Sequence, residues 1–246
     1  MKKLPLFIFG LLLACAVGSN VYALSFTFSG IAEEGGAEDG TGTGIGSATM
    51  DISVDNYTVT VSIDNTSPTD LLYGLEGVNA PGITGFGFDL DPENDLDWVS
   101  WELTALNSAG ESITIGGSDV DDPLWVLATA DNWQGIKVDY IANTDKGSIG
   151  ALYNPDLLPG EDGVAKDPHY TTAVLILNFN DVSSPITLNT EAEYSPFVRM
   201  QNVGLEGEES LKLSAAPVPE PATILLMGTG LLGMMGYGRK RLNKKA

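Results

Sequence analysis

Apolar and polar residues alternate along much of the chain between residues 24 and 214, which is the periodicity of half-buried β-strands. The clearest alternation covers residues 48–55 and 57–64, which flank an Asp55-Asn56 turn and therefore predict a β-hairpin. On the first segment Met50, Ile52 and Val54 share one face, and on the second Tyr57, Val59, Val61 and Ile63 share another.

Further short strands are predicted wherever alternation is bounded by Gly, Asp, Asn or Pro: 24–29, 83–90, 98–103, 112–115, 125–128, 136–141, 186–188, 197–203 and 210–214. The most apolar segment is 170–179, which predicts a central strand. Residues 33–46 and 154–167 are predicted loops, 65–68 a turn, and 215–217 a linker. No internal stretch has a helical period, so we expect an all-β protein with a single β-sandwich or jelly-roll-like domain over residues 24–214.

The N-terminal end has the pattern of an export signal. Lys2 and Lys3 precede an apolar run over residues 4–17, and Val21-Tyr22-Ala23 offers small residues for cleavage. This predicts a signal peptide over residues 1–23, handled by the Sec machinery and removed by signal peptidase after Ala23. Two alternatives remain: an uncleaved anchor, for which the apolar run is short, and lipidation of Cys15, since Leu12-Leu13-Ala14-Cys15 resembles a lipobox.

The C-terminal end combines Pro219-Glu220-Pro221, an uncharged run over residues 222–238, and the basic cluster Arg239, Lys240 and Arg241. As a helix the run spans about 25 Å, which is at the short edge of a transmembrane helix. Positive residues stay on the cytoplasmic side, so the cluster is predicted inside and the β-domain outside. Proline fits poorly within a helix, so Pro219 and Pro221 predict extended chain before the membrane. A plain C-terminal anchor and a sorting signal both fit this physical pattern.

The order of these three parts resembles the PEP-CTERM protein-sorting signal of Gram-negative bacteria, over residues 215–246. The resemblance implies transient residence in the inner membrane and processing near Pro219, Glu220 and Pro221 by exosortase, a transpeptidase-like cysteine protease. It also implies release or transfer to the cell surface or an exopolysaccharide matrix. The expected function is that of a structural or adhesive surface protein without catalytic residues of its own. Segments 57–68, 83–90 and 197–204 look like stretches common in the passenger domains of such proteins, which supports the fold and implies no activity.

The charge is concentrated between the two signals. Residues 33–220 contain all 33 acidic residues and five basic ones, which leaves a net charge of −28. Such a surface repels nucleic acid, so we expect no nucleic-acid partner, and it attracts cations. Solvation of the surface is the simpler explanation of the acidity. Cys15 is the only cysteine, so a chain cleaved after Ala23 has no disulfide and no thiol chemistry.

One acidic segment carries a candidate metal site. Asp89, Asp91, Glu93, Asp95 and Asp97 place five carboxylates within nine residues. Calcium takes six to eight oxygen ligands, so this spacing predicts a Ca²⁺ site if the segment folds around one ion. The segment lacks the glycine turn and the twelfth-position Glu of a standard calcium loop. A solvated acidic loop is the alternative.

Catalysis and glycan binding have thinner support. His169 is the only histidine, and no Gly-x-Ser-x-Gly elbow supplies a nucleophile, so a secreted hydrolase is an unsupported alternative and we expect no enzyme. Trp133, between Asn132 and Gln134 in a predicted turn, is the best candidate for stacking on a sugar ring. Trp98 and Trp101 are three residues apart, so on one regular strand they would face opposite sides and at most one would be buried. An extracellular carbohydrate- or calcium-binding module is therefore the main alternative function.

Overall fold

A computed structural model describes residues 22–31, 45–55, 57–68, 81–91, 98–107, 109–129, 138–157, 170–180, 186–189, 196–203, 209–214 and 217–218. Within these ranges the chain is all-β, and its one helical element is a 3₁₀ turn at Pro155–Leu157. The strands are β1 Tyr22–Ile31, β2 Ile45–Asp55, β3 Thr58–Asn65, β4 Gly82–Phe88, β5 Leu90–Asp91, β6 Trp98–Asn107, β7 Ser112–Gly117, β8 Trp125–Thr129, β9 Tyr140–Thr144, β10 Leu152–Tyr153, β11 Tyr170–Phe179, β12 Thr187–Leu188, β13 Phe197–Val203, β14 Glu209–Ser214 and β15 Pro217–Val218.

Thirteen of these strands form one large sheet. Its main path runs β14-β13-β4-β10-β11-β3-β2-β1-β15, with β6 and β7 continuing from β11, and β9 and β8 from β4. Strands β5 and β12 form a separate two-stranded sheet. The sheet folds back on itself, because Leu213 of β14 packs directly over Gly30 of β1. A Cβ on Gly30 would lie 2.3 Å from Leu213 Cδ2, so a larger residue here would require the end of the Leu213 side chain to move.

The predicted hairpin and central strand are confirmed. In β2 and β3, Met50 pairs with Ile63, Ile52 with Val61 and Val54 with Val59, and all six side chains are buried. Strand β11 lies between β3 and β6 in antiparallel pairing and also pairs with β10 in parallel. The alternation along the sequence therefore becomes one buried face across neighbouring strands.

Several sequence predictions differ from the structure at the ends of elements. Tyr57 lies in the turn between β2 and β3 and is 47% exposed, so it does not share the buried face of β3. Strand β2 begins at Ile45, inside the predicted loop. The strand predicted at 136–141 is instead β9, Tyr140–Thr144. Pro217, in the predicted linker, pairs with Phe26 as part of β15.

The prediction that Trp98 and Trp101 face opposite sides is wrong. Trp101 pairs with Leu177 and Trp98 with Phe179, and a register irregularity separates the two pairs. The irregularity adds one residue, Val99, and a β-bulge of this kind changes the face on which the following side chain lies. Both tryptophans are therefore half-buried against the core, and Val99 is 55% exposed.

Asn65 joins three segments at the end of β3. Its buried Nδ2 donates hydrogen bonds to the carbonyl oxygens of Pro81, at 2.7 Å, and Leu152, at 2.9 Å, and its Oδ1 accepts one from the Ser67 amide at 3.0 Å. Asn65→Ala leaves these groups without partners, and we expect it to lower the free energy of unfolding by about 3 kcal/mol. Chemical denaturation measures this change. Asn107→Ala is the matched control, since Asn107 makes a similar number of bonds at a more exposed position and should cost well under half as much.

Candidate functional site

The chain reaches its sorting segment through the edge strand β15. This strand pairs antiparallel with β1, with Ser25 opposite Val218 and Phe26 opposite Pro217. Proline has no backbone N–H and is tolerated on sheet edges, which is where Pro217 lies. Val218 is the last described residue, so Pro219, Glu220 and Pro221 follow the edge strand directly in sequence and lie outside the described residues.

The predicted signal-cleavage residue lies at the same end of the sheet. Because β1 and β15 are antiparallel, the start of β1 and the end of β15 are neighbours. Ala23 is an exposed residue of β1 and pairs with Ser53 of β2. Cleavage after Ala23 stays a prediction, and the alternative residue Cys15 lies outside the described residues. Ser25, which pairs with Val218, lies two residues after Ala23 on β1.

The remaining topology signals fall beyond the described chain. The apolar run 222–238 and the cluster Arg239, Lys240 and Arg241 lie outside the described residues. In the part of the chain that the structure describes, no helix combines the length and hydropathy needed to cross a bilayer.

The first two acidic residues of the acidic segment differ in solvent exposure. Asp89 is buried, with 1% of its surface exposed, whereas Asp91 on β5 is exposed. Glu93, Asp95 and Asp97 lie outside the described residues. Across the described ranges, no group of three or more His, Cys, Asp or Glu side chains is arranged to hold a metal ion. The predicted Ca²⁺ site therefore stays a prediction.

Asp89 has partners that are far away in sequence. Its Oδ1 accepts a hydrogen bond from the Leu90 amide at 3.0 Å, and its Oδ2 accepts one from Asn189 Nδ2 at 2.9 Å. The backbone N–H of Asn189 also donates a hydrogen bond to the backbone carbonyl of Asp89 at 3.0 Å, next to the pairing of β5 with β12. The carboxyl of Asp139 forms a hydrogen bond with that of Asp89.

Burial and the neighbouring Asp139 together favour the protonated form of Asp89. Burial raises the pKa of Asp89, the hydrogen bond and the negative charge of Asp139 raise it further, and the pKa reaches about 8. The amide of Leu90 and the side chain of Asn189 oppose this change in pKa, since both favour the charged form. Burial and Asp139 therefore favour the neutral form of Asp89 at pH 7, as a hydrogen-bonding group of the core. The sequence marks Asp139 only as a weak ligand candidate and gives no signal for Asn189, because neither is near the acidic segment along the chain.

The tryptophans of the domain differ in their surroundings. Trp125 is fully buried, and its Nε1 donates a hydrogen bond to the carbonyl of Gly150 at 2.8 Å. Its ring lies 5.8 Å from that of Phe86 within the core. Trp133 and His169 lie outside the described residues, so the glycan-stacking role of Trp133 stays a prediction.

One face of the large sheet points away from the core and is polar. Thr58 Oγ1 donates to Asn178 Oδ1 at 3.2 Å, and Asn178 Nδ2 donates to Ser100 Oγ at 3.2 Å, so polar side chains connect three strands. Thr172 donates in the same way to Asp64. We call this the outer face; its members include Thr49, Asp51, Ser53 and Asp55 of β2, Thr58, Thr60, Ser62 and Asp64 of β3, Thr172, Val174, Ile176 and Asn178 of β11, and Ser100, Glu102 and Thr104 of β6. Most carry hydroxyl, amide or carboxylate groups, and none is basic.

The comparison with known protein families finds a match in the C-terminal segment. In sequence, the all-β domain is followed by Pro-Glu-Pro, an apolar run and a basic cluster. Residues 217–241 match the family model of the PEP-CTERM protein-sorting motif, and the chain carries this motif. The match begins at Pro217, so it includes both residues of β15. No curated protein and no solved structure matches the chain.

The matched motif indicates how the protein is exported and processed. The motif implies an exported protein that exosortase processes at the membrane before it reaches the surface. The Pro-Glu-Pro residues, the apolar run up to Gly238 and the cluster Arg239, Lys240 and Arg241 all fall within the match. The sequence-based recognition of this motif is thus confirmed.

Proposed function

We propose that the protein is a structural or adhesive component of the cell surface or the exopolysaccharide matrix, delivered there by exosortase. The match of residues 217–241 to the sorting motif carries this proposal. The Sec machinery exports the chain and signal peptidase removes residues 1–23. The run 222–238 then halts in the inner membrane with the basic cluster inside. Exosortase cuts near Pro219, Glu220 and Pro221, and a compact β-sandwich-like domain is delivered.

The outer face supports a role in contact with polysaccharide. Its rows of hydroxyl, amide and carboxylate groups lie at the regular spacings of a sheet, about 4.8 Å between strands. Sugar hydroxyls both donate and accept hydrogen bonds, so such rows offer repeated partners to an extended neutral glycan. Retention of the purified β-domain on matrix polysaccharide from the host tests this contact, and elution with the unretained proteins would contradict it.

A calcium-binding module is the second candidate for the β-domain. The number of carboxylates between Asp89 and Asp97 favours it. Asp89 is buried and accepts hydrogen bonds from Leu90 and Asn189, so we place the candidate ligands at Asp91, Glu93, Asp95 and Asp97. A Ca²⁺-dependent rise in melting temperature is the expected result of binding. We propose no enzymatic role, and a secreted hydrolase would instead show turnover of a substrate.

Sorting is tested by removing the enzyme or the motif. In a host strain without exosortase, we expect the full-length precursor to accumulate in the membrane fraction, at least tenfold above the wild-type strain. Replacing Pro219, Glu220 and Pro221 by alanine should have the same effect in the wild-type strain. Immunoblots of the membrane fraction and the medium measure the distribution.

The matched control for this experiment is Glu111→Ala, which also removes an exposed carboxylate but lies in the loop before β7. We expect this variant to be distributed as the wild type is. Equal distribution of the wild-type protein with and without exosortase would contradict sorting by this enzyme.

A further inference from the structure

The outer face carries negative charge and no positive charge. Its carboxylates are those of Asp51 and Asp55 on β2, Asp64 on β3 and Glu102 on β6, and none of the residues that define the face is basic. Asp64 accepts the hydrogen bond from Thr172, whereas Asp51, Asp55 and Glu102 are exposed to solvent. The face therefore attracts positively charged groups and repels negatively charged ones.

The basic residues of the described chain lie in other parts of the domain. Arg199 of β13 pairs with Lys212 of β14, two strands that continue the sheet beyond β4. Lys146, in the connection between β9 and β10, forms an ion pair with Asp122 at 2.8 Å. Positive and negative charges are thus separated, and a cationic partner meets only carboxylates among the charged members of the outer face.

The carboxylates are dispersed over the face rather than gathered at one point. Asp51 and Asp55 are four residues apart on β2, which is about 13 Å, and Glu102 lies three strands from β2, about 14 Å away. A small cation therefore meets one of these carboxylates at a time. A polymer that bears several positive charges can meet two or more of them at once.

Hydroxyl and aliphatic groups lie between the carboxylates. One row across the strands runs from Asp51 through Ser62 and Val174 to Thr104. The next row includes Ile176, whose side chain is 38% exposed. Sugar rings present hydroxyl groups together with apolar C–H surfaces, and these match hydroxyl and aliphatic side chains respectively. This mixture favours a glycan as the polymer.

We propose that the outer face binds a polysaccharide in which some of the sugars carry a free, protonated amino group. This inference rests on the proposed function and names the class of glycan that the face takes. A protonated amine donates three hydrogen bonds, and those to a carboxylate are charge-assisted. One exposed ion pair contributes little, but a chain that forms several at once is held much more tightly. The hydroxyl rows bind the uncharged sugars of the same chain.

Two oligosaccharides that differ only in the amine test this proposal. The full-length chain, purified in detergent, is titrated with the hexamer of β-1,4-linked glucosamine and with its N-acetylated form at about pH 6, where the free amine is protonated. We expect the glucosamine hexamer to bind at least about tenfold more tightly. In about 1 M salt, which shortens the screening length to about 3 Å, most of this difference should be lost.

Neutral substitutions test whether binding occurs on the outer face. Asp51→Asn with Glu102→Gln removes two exposed carboxylates and keeps the size of both side chains. We expect this double variant to bind the glucosamine hexamer at least about fivefold more weakly and the N-acetylated hexamer as the wild type does. Asp145→Asn with Asp156→Asn is the matched control, because it makes the same change in net charge at exposed positions outside the outer face. The control should bind both hexamers as the wild type does.

An aliphatic substitution tests the contact with the sugar rings. Ile176→Thr should weaken the binding of both hexamers about threefold, because both present the same apolar C–H surface. Ile113→Thr is the matched control. Ile113 is also 38% exposed, but it pairs with the buried Ala105 and so lies on the opposite face of the sheet. This variant should bind both hexamers as the wild type does.

Each contradictory result has its own meaning. Equal affinity for the two hexamers would overturn the proposal, and so would equal losses in the outer-face double variant and its charge-matched control. If neither hexamer binds while the protein is retained on the polysaccharide of its host, the amino-sugar proposal fails and the proposed contact with polysaccharide stands. A protein that neither binds a hexamer nor is retained contradicts both.

Discussion

Replacing Asp89 by Asn is expected to remove most of the loss of stability that the wild-type domain shows as the pH rises from about 4 to about 8. Folding raises the pKa of Asp89 from the ordinary value of 3.8 to about 8, since the carboxyl is buried beside Asp139. Between these values the folded chain holds a proton that the unfolded chain has released. Stability is thus fully present below pH 4 and falls as the pH rises through 8.

The expected effect is large because each tenfold difference in proton affinity between the folded and unfolded chain corresponds to about 1.4 kcal/mol. Because Asp89 titrates beside a second carboxylate, we expect a change of a few kcal/mol across this window. Asn keeps an acceptor for the Leu90 amide and a donor for Asp139, and it cannot ionise; its new Nδ2 can donate to Asn189 once the side-chain amide of Asn189 turns over to present its oxygen. We therefore expect Asp89→Asn to be more stable than the wild type at pH 8, and to lose this advantage near pH 4.

Urea denaturation at several pH values measures the effect. Asp139→Asn should give an intermediate slope, since it removes the neighbouring charge and leaves Asp89 buried. Asp119→Asn makes the same change in net charge on an exposed loop and reports the general effect of charge. Parallel curves for the wild type and Asp89→Asn would contradict the buried, protonated state.

Gly87→Ala is expected to lower the free energy of unfolding by about 3 kcal/mol, the upper end of the cost of overpacking. A Cβ at this position would lie 2.2 Å from Cε1 of Phe197 and 2.8 Å from the carbonyl oxygen of Tyr140. The first clash is with a fully buried ring, and the second is with the backbone of β9, so neither neighbour can move freely.

A double-mutant cycle separates this clash from a general effect of alanine. Phe197→Leu shortens the side chain over Gly87 and is itself destabilising, since Phe197 is fully buried. In the double variant, the costs of the two changes should sum to more than the measured loss, because the smaller side chain makes room for the new methyl group. Additive costs would contradict the close packing of β13 on β4.

Local alternation is sufficient to predict strands whose two faces differ. Strands β2, β3, β11 and β13 follow this rule, since each presents a buried face and a more exposed one. Strand β10 has two residues, and β15 begins with proline, so neither has a pattern that sequence can show. The bulge at Val99 is also invisible locally, because it depends on how β6 pairs with β11.

The candidate sites also differ in how much of each could be predicted from the sequence. The sorting motif is contiguous, so its residues and their order could be recognised from the sequence alone. The environment of Asp89 is assembled from Asp139, 50 residues away, and Asn189, 100 residues away. Asp89, which belongs to an acidic segment along the sequence, is therefore a buried acid, because tertiary contacts decide its surroundings.

The acidic composition is consistent with the export route that the sorting signal implies. The net charge of −28 over residues 33–220 favours solubility and repulsion between copies while the chain is processed at the membrane. Under the proposed function, the domain leaves after exosortase acts, with its outer face free for the matrix.

The intact mass of the protein recovered from its native host, after separation of the inner membrane from surface and medium, tests the central claim most directly. We predict a mass that lacks residues 1–23 and everything beyond the Pro-Glu-Pro region, found outside the inner membrane. A mass that still includes Lys244 and Lys245, found only in the membrane fraction, would contradict sorting and make the C-terminal segment an ordinary anchor.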